Sequence, residues 1–176
     1  NDHRQNMVDL LSQPDHAMGS IFGFRKYGVF GNPDLYMEFE YMNLAQGKFH
    51  VFRATPNFYH RLHYNDFSYK GRRWGAHSGS DSDDLFIEFG FLNNKWSFIP
   101  GFNFERHGLI TNQPAEVKIE LRLEASHKWN NMRIIYNYES ENARHLGFPQ
   151  DNIYAGEITG VRKINTFIIR IEYLIN

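Results

Sequence analysis

From Glu116 to Glu124 charged and aliphatic residues alternate without a break. Val117, Ile119, Leu121 and Leu123 fall on one side, and Lys118, Glu120, Arg122 and Glu124 on the other. A period of two is the signature of a β-strand with two unlike faces. Four successive charges on one face need water or a polar lumen, because a dry core cannot hold them. This run therefore restricts the chain to folds in which one side of a sheet is apolar and the other is wetted.

The same period recurs along the chain. Leu35, Met37, Phe39 and Tyr41 oppose Glu38 and Glu40. Leu85, Ile87, Phe89 and Phe91 oppose Glu88. Met132, Ile134, Tyr136 and Tyr138 oppose Arg133, Asn137 and Glu139. Phe167, Ile169, Ile171, Tyr173 and Ile175 oppose Arg170 and Glu172, with Ile168 and Leu174 on the polar side. Trp96, Phe98, Pro100, Phe102 and Phe104 also share a face, with a local irregularity expected where Pro100 removes a ladder donor. Gly19 to Val29, Lys48 to Ala54 and Phe58 to Tyr69 are strand-like with less contrast. The count is about nine strands over residues 19–176, with 1–18 as a loop or pre-strand segment.

Connections alternate in length. Short turns are expected at Gly31-Asn32-Pro33, near Thr55-Pro56-Asn57, at Asn93-Asn94 and at Ser126-His127-Lys128, with a further short link at Leu44 to Gly47. Long ones are expected at 70–83, 107–115 and 140–160. This is the rhythm of an antiparallel outer-membrane β-barrel, with short periplasmic turns and long external loops. A closed barrel of that kind has an even number of strands, so an odd set predicts further strands upstream or on another chain.

Hydropathy does not oppose this reading. No stretch approaches the roughly 18 apolar residues of a membrane helix, but a spanning strand needs only about 10 alternating residues. Aromatic residues are plentiful, and the apolar faces carry them toward strand ends (Trp96, Tyr41, Tyr138, Tyr173), as an interfacial girdle would. The absence of cysteine excludes a disulfide framework and a thiolate metal site. A net charge of −1 with no basic stripe excludes a phosphate-backbone binder, so no nucleic-acid partner is expected. A transport barrel or accessory subunit of an outer-membrane complex is one alternative, and a soluble β-sandwich carbohydrate-binding module is another. The sandwich module would show the same alternation with the charged faces outward.

One stretch is more distinctive. Tyr69-Lys70-Gly71-Arg72-Arg73-Trp74-Gly75-Ala76-His77-Ser78-Gly79-Ser80-Asp81-Ser82-Asp83-Asp84-Leu85 leads from a Gly-Arg segment through a Gly-x-Asp-x-Asp turn into an alternating strand. With the run Trp96 to Phe104 entering Glu105-Arg106-His107-Gly108, and the ending Glu157 to Asn176, it resembles the late barrel region of Wzi-type capsule assembly proteins of Gram-negative outer membranes. The resemblance runs from Met18 to the C-terminus. It implies a barrel with about twice the strands counted here. It also implies a lectin-like anchor for capsular or surface polysaccharide, with outer-membrane lipid, lipopolysaccharide and other envelope subunits as partners. The ending Ile175-Asn176 departs from the aromatic terminus usual in such barrels, a role Tyr173 is expected to fill.

The chemistry concentrates in the same stretch. Arg72, Arg73, Trp74, His77, Asp81 and Asp83 form the candidate sugar site. Trp74 offers a ring face to sugar C–H groups, and two adjacent arginines suit an acidic sugar. The competing reading is a loop held by its own Asp-turn hydrogen bonds. Asp81, Asp83 and Asp84 are also spaced as hard-cation ligands, but an EF-hand Gly and Glu are missing, leaving at most a weak calcium site. His60 and His63 fall on opposite strand faces, and His3, His16 and His107 are expected in loops. No His-x-His or His-Glu-x-x-His motif occurs. Ser78, His77 and Asp81 are too close in sequence for triad geometry, and there is no nucleophile elbow. No enzyme activity, cofactor or resident metal is expected. The polar-face charges, including Lys118, Glu120, Arg133, Glu139, Arg170 and Glu172, are expected to form cross-strand ion pairs.

Overall fold

The computed structural model of the chain describes residues 7, 19–45, 68–69, 72–73, 81–109, 114–145 and 160–173. Seven antiparallel strands form one sheet in sequence order: β1 (Ser20–Tyr27), β2 (Leu35–Asn43), β5 (Ser82–Leu92), β6 (Trp96–His107), β7 (Glu116–Trp129), β8 (Met132–Arg144) and β9 (Arg162–Tyr173). A separate two-stranded ladder joins β3 (Ser68–Tyr69) to β4 (Arg72–Arg73). The sheet is open, with β1 and β9 at its edges. No helix among the described residues is long and apolar enough to cross a membrane, which says nothing of β-strands.

The alternation read from sequence is the alternation of the sheet. Rows of paired residues are mainly apolar on one side of the sheet and mainly polar on the other. One row joins Phe24, Phe39, Ile87, Phe102 and Leu121. The row beside it, one residue along each strand, joins Gly23, Glu40, Phe86, Asn103, Glu120 and Glu141. At Pro100 the β5–β6 ladder skips the partners Phe89 and Gly90, whereas the β6–β7 ladder continues through Pro100↔Leu123. The missing proline donor thus faces β5.

Nine consecutive sheet strands were expected, and the main sheet has seven. Leu35 to Asn43 of β2 pairs directly with Asp83 to Phe91 of β5, leaving no place between them for a strand from 48–54 or 58–69. Those two segments lie outside the described residues, apart from Ser68 and Tyr69. The turn expected at Ser126-His127-Lys128 is also displaced. Those residues continue β7, and the chain reverses at Asn130-Asn131, where Asn130 takes φ 51°. Asparagine tolerates this left-handed conformation better than most residues do. His107 closes β6 instead of lying in a loop, Asp83 lies inside β5, and β8 runs on to Arg144. Residues 28–34, 93–95 and 130–131 therefore connect strands at one end of the sheet, and 44–81, 108–115 and 145–161 at the other.

Burial follows the faces in an unusual sense. Ser82, Ser97, Asn103, Glu105, Ser126, Ile135 and Ala143 are buried, and all lie on the charged face. Phe22, Phe98, Leu121, Phe167, Ile169 and Ile171 are exposed, and all lie on the apolar face. Small serines and an alanine on the inner side let neighbouring strands crowd there. This is the burial of a sheet concave on its polar side.

Gly90 illustrates how that side is filled. It pairs with Tyr36, whose ring lies across it and whose hydroxyl donates to Glu88 Oε1 at 2.7 Å. A Cβ on Gly90 would sit 1.8 Å from the Tyr36 ring, whereas one on Gly101 would meet nothing closer than 3.6 Å. Gly90→Ala is expected to expel the ring, break the bond to Glu88 and cost about 1–3 kcal/mol. Gly101→Ala should be nearly neutral. Urea unfolding of the two variants checks the contrast, and equal costs would contradict the account.

Candidate functional site

Of the sequence-predicted sugar site, Arg72 and Arg73 form β4, with Tyr69 opposite Arg72 and Ser68 opposite Arg73. Trp74 and His77 lie outside the described residues. Asp81 and Asp83 are buried at the start of β5. Asp81 is a joint. Its backbone N–H donates to Leu44 O (3.1 Å), and its carbonyl accepts from Gly108 N (2.8 Å) and Leu109 N (3.2 Å). It holds φ 57° while doing so. Asp83 is paired with Arg106, whose Nε donates to Oδ1 at 2.9 Å and whose terminal nitrogen meets Oδ2. These contacts clasp β2, β5 and β6 where the 38-residue connection 44–81 leaves and returns. No three His, Asp or Glu side chains converge as a metal site requires among the described residues.

The polar face carries a network that the sequence reading did not assemble. Glu105 is 2% exposed and is flanked by His107 Nε2 at 2.7 Å and Lys118 Nζ at 3.2 Å. Lys118 also meets Glu120 Oε1 at 3.1 Å, and Asn103 Nδ2 donates to Glu120 Oε2 at 3.3 Å. Its place was legible: Glu105 and His107 simply extend the β6 alternation past Phe104. Elsewhere Arg25 pairs with Glu38, Arg162 with Glu141 (2.7 Å), and Arg170 with Glu172 (3.1 Å). Three of the expected cross-strand contacts take other forms, Lys118–Glu120 within β7 among them. Arg170–Glu172 lies within one strand, and Arg133 donates to Ser126 Oγ at 3.2 and 3.3 Å instead of meeting a carboxylate. Ser126 in turn shares a 2.6 Å hydrogen bond with Ser97.

A cleft opens on this face between β5 and β9, lined by Glu88, Arg122, Glu124, Asn137, Glu139 and Thr166. The opposite face bears aromatic rings at the short-turn end, where Trp96 stacks on His127 at 3.8 Å beside Trp129 and Tyr173. The arrangement joins an acceptor-rich concave interior, an apolar exterior and one end loaded with long connections. Comparison with protein-family models, curated proteins and solved structures gives no match to this chain.

Proposed function

We propose that the sheet is part of a transmembrane β-barrel of the outer membrane, similar to Wzi-type capsule assembly proteins, which holds surface polysaccharide through its long connections. The observation that carries this reading is the inverted burial. Inside the sheet, Phe98 is 51% exposed and Leu121 53%, while Glu105 on the charged side is 2% exposed. In water such a sheet would turn its apolar side inward. In lipid the apolar side is the correct exterior, and a polar lumen is filled by ion pairs.

The slope of the apolar band supports the same reading. On β1 the band is Phe22 and Phe24, which lie in the rows of Ile119 and Leu121 of β7. On β9 it runs from Phe167 to Tyr173, in the rows of Leu123 to Trp129. In β7 numbering its centre moves from 120 to 126 across the six steps of a seven-stranded sheet, or one residue per strand. With a rise of about 3.4 Å per residue and a spacing of about 4.8 Å between strands, the band is inclined by about 35° to the hydrogen-bonded rows. A membrane band level in the bilayer shows this slope when strands tilt by about 35–45°.

Parity supports further strands. In an antiparallel set of seven, β1 and β9 run parallel, so the sheet does not close on itself in the antiparallel manner of such barrels. Copies inserted in the same orientation would also meet β9 to β1 in parallel. An odd number of additional strands satisfies both edges.

The polysaccharide role draws on the connection 44–81, far longer than most loops in compact domains, which holds Arg72, Arg73, Trp74 and His77. A transport barrel is the alternative use of the same lumen, and the cleft at Arg122 and Glu124 is what favours it. Washed envelopes run on SDS gels with and without boiling test the barrel. The expected result is a cold form of altered mobility that shifts on heating; a soluble protein with no shift would move the sandwich module to first place. Deleting the parent gene should then release capsule into the medium, and normal capsule retention would count against the anchor role.

A further inference from the structure

The two ends of the apolar face differ in chemistry. At the short-turn end it finishes in Trp96, Trp129 and Tyr173. At the long-connection end it passes into amides and cations. On β8, Tyr138 is followed on the same side by Ser140, Asn142 and Arg144; on β9, Phe167 is preceded by Asn165 and Lys163. Asn142 and Lys163 are directly paired, and Arg144 lies diagonally beyond. Arg144 and Lys163 are exposed, and neither meets a carboxylate among the described residues. Asn142 Oδ1 is buried with no hydrogen-bond partner, and Tyr138 donates to Asn165 Oδ1 at 3.2 Å.

We propose that Arg144 and Lys163 form a docking belt for phosphorylated lipid headgroups in the leaflet on the long-connection side. The proposal rests on the barrel reading above and adds a ligand class to it. A guanidinium and an ammonium stand on the lipid side, just past the apolar band, with no carboxylate partner among the described residues. The anion that meets them there is supplied by the lipid. A guanidinium matches phosphate bidentately, and an ammonium adds a compact charge beside it. On the concave side at the same end of these two strands, Arg162 is already neutralised by Glu141 at 2.7 Å, so the unpaired cations at that end face the exterior among the described residues. In an outer membrane that leaflet presents phosphorylated glycolipid.

The natural full-length protein is reconstituted into vesicles of phosphatidylcholine alone, with diphosphorylated lipid A, and with chemically dephosphorylated lipid A. The midpoint of heat-induced mobility change on gels is read in each, for wild type, for Arg144→Gln/Lys163→Gln, and for a control Lys95→Gln/Lys128→Gln at the short-turn end. The expected result is a higher midpoint in phosphorylated lipid A for wild type and control, with at least half of that rise lost in Arg144→Gln/Lys163→Gln. Three results overturn the proposal: an equal rise with dephosphorylated lipid, a rise retained by Arg144→Gln/Lys163→Gln, or the same rise from inorganic phosphate added to plain vesicles. If no vesicle gives a heat-dependent shift, the barrel reading itself has failed and the belt falls with it. A shift indifferent to lipid phosphate removes the belt alone.

Discussion

Replacing Leu121 by Arg should destabilise the protein in a bilayer by about 2 kcal/mol, the low end of the cost of a cation on a barrel's lipid face, because Leu121 lies off the midplane of the band. Leu121 is 53% exposed, and in water a substitution at so open a position changes stability by no more than about 0.5 kcal/mol. The two settings therefore predict effects several-fold apart for one side chain. Leu121 pairs with Phe102 on one side and Ser140 on the other, about three residues from the centre of the sloping band on β7, which keeps the cost at the low end of the range. Phe22→Arg, only about one row from the centre of the band on β1, should cost as much or more. Urea titration of the vesicle-embedded protein, followed by tryptophan fluorescence, measures both. A Leu121→Arg cost below about 0.5 kcal/mol would place this face in water.

The strands were legible because a period of two is a local property. Each residue from Val117 to Glu124 declares its side through its neighbours, and the register extends the pattern across the sheet. Which side is buried was not legible, since alternation reads the same from either face. The structure turns Glu105 and Ser126 inward and Phe98 and Ile169 outward. The pairing of β2 with β5 was missed for a different reason. It closes a 38-residue excursion, and strand-like composition within that excursion was counted as sheet. Aspartates 81 and 83 show the limit for sites. Their spacing suggested ligands, but Asp81 acts through its backbone and Asp83 through Arg106, partners fixed by a β5–β6 register that no local motif encodes. Arg72 and Arg73 were placed in a loop, and their pairing with Tyr69 and Ser68 makes a small ladder of that segment.

Substituting Lys118 by Met should cost about 3 kcal/mol, at the lower end of what removing one partner from a buried ion pair costs. The ammonium lies 3.2 Å from Glu105 and 3.1 Å from Glu120, joining carboxylates on two strands. Glu105 is buried beside His107, so without the ammonium its charge rests on fewer donors in a poorly solvated place. Lys118 itself is one-fifth exposed (21%), which lets water offset part of the loss and keeps the estimate low in the range. The loss should be coupled to Glu105. In a double-mutant cycle, Lys118→Met with Glu105→Gln should cost clearly less than the two single changes added, with an interaction of about 1–3 kcal/mol. Additive costs would mean that the three groups are neighbours without being a network. Strong coupling would identify the Glu105–Lys118–Glu120 cluster as the clamp that joins β6 to β7 on the polar side, at the end where the long connections leave the sheet.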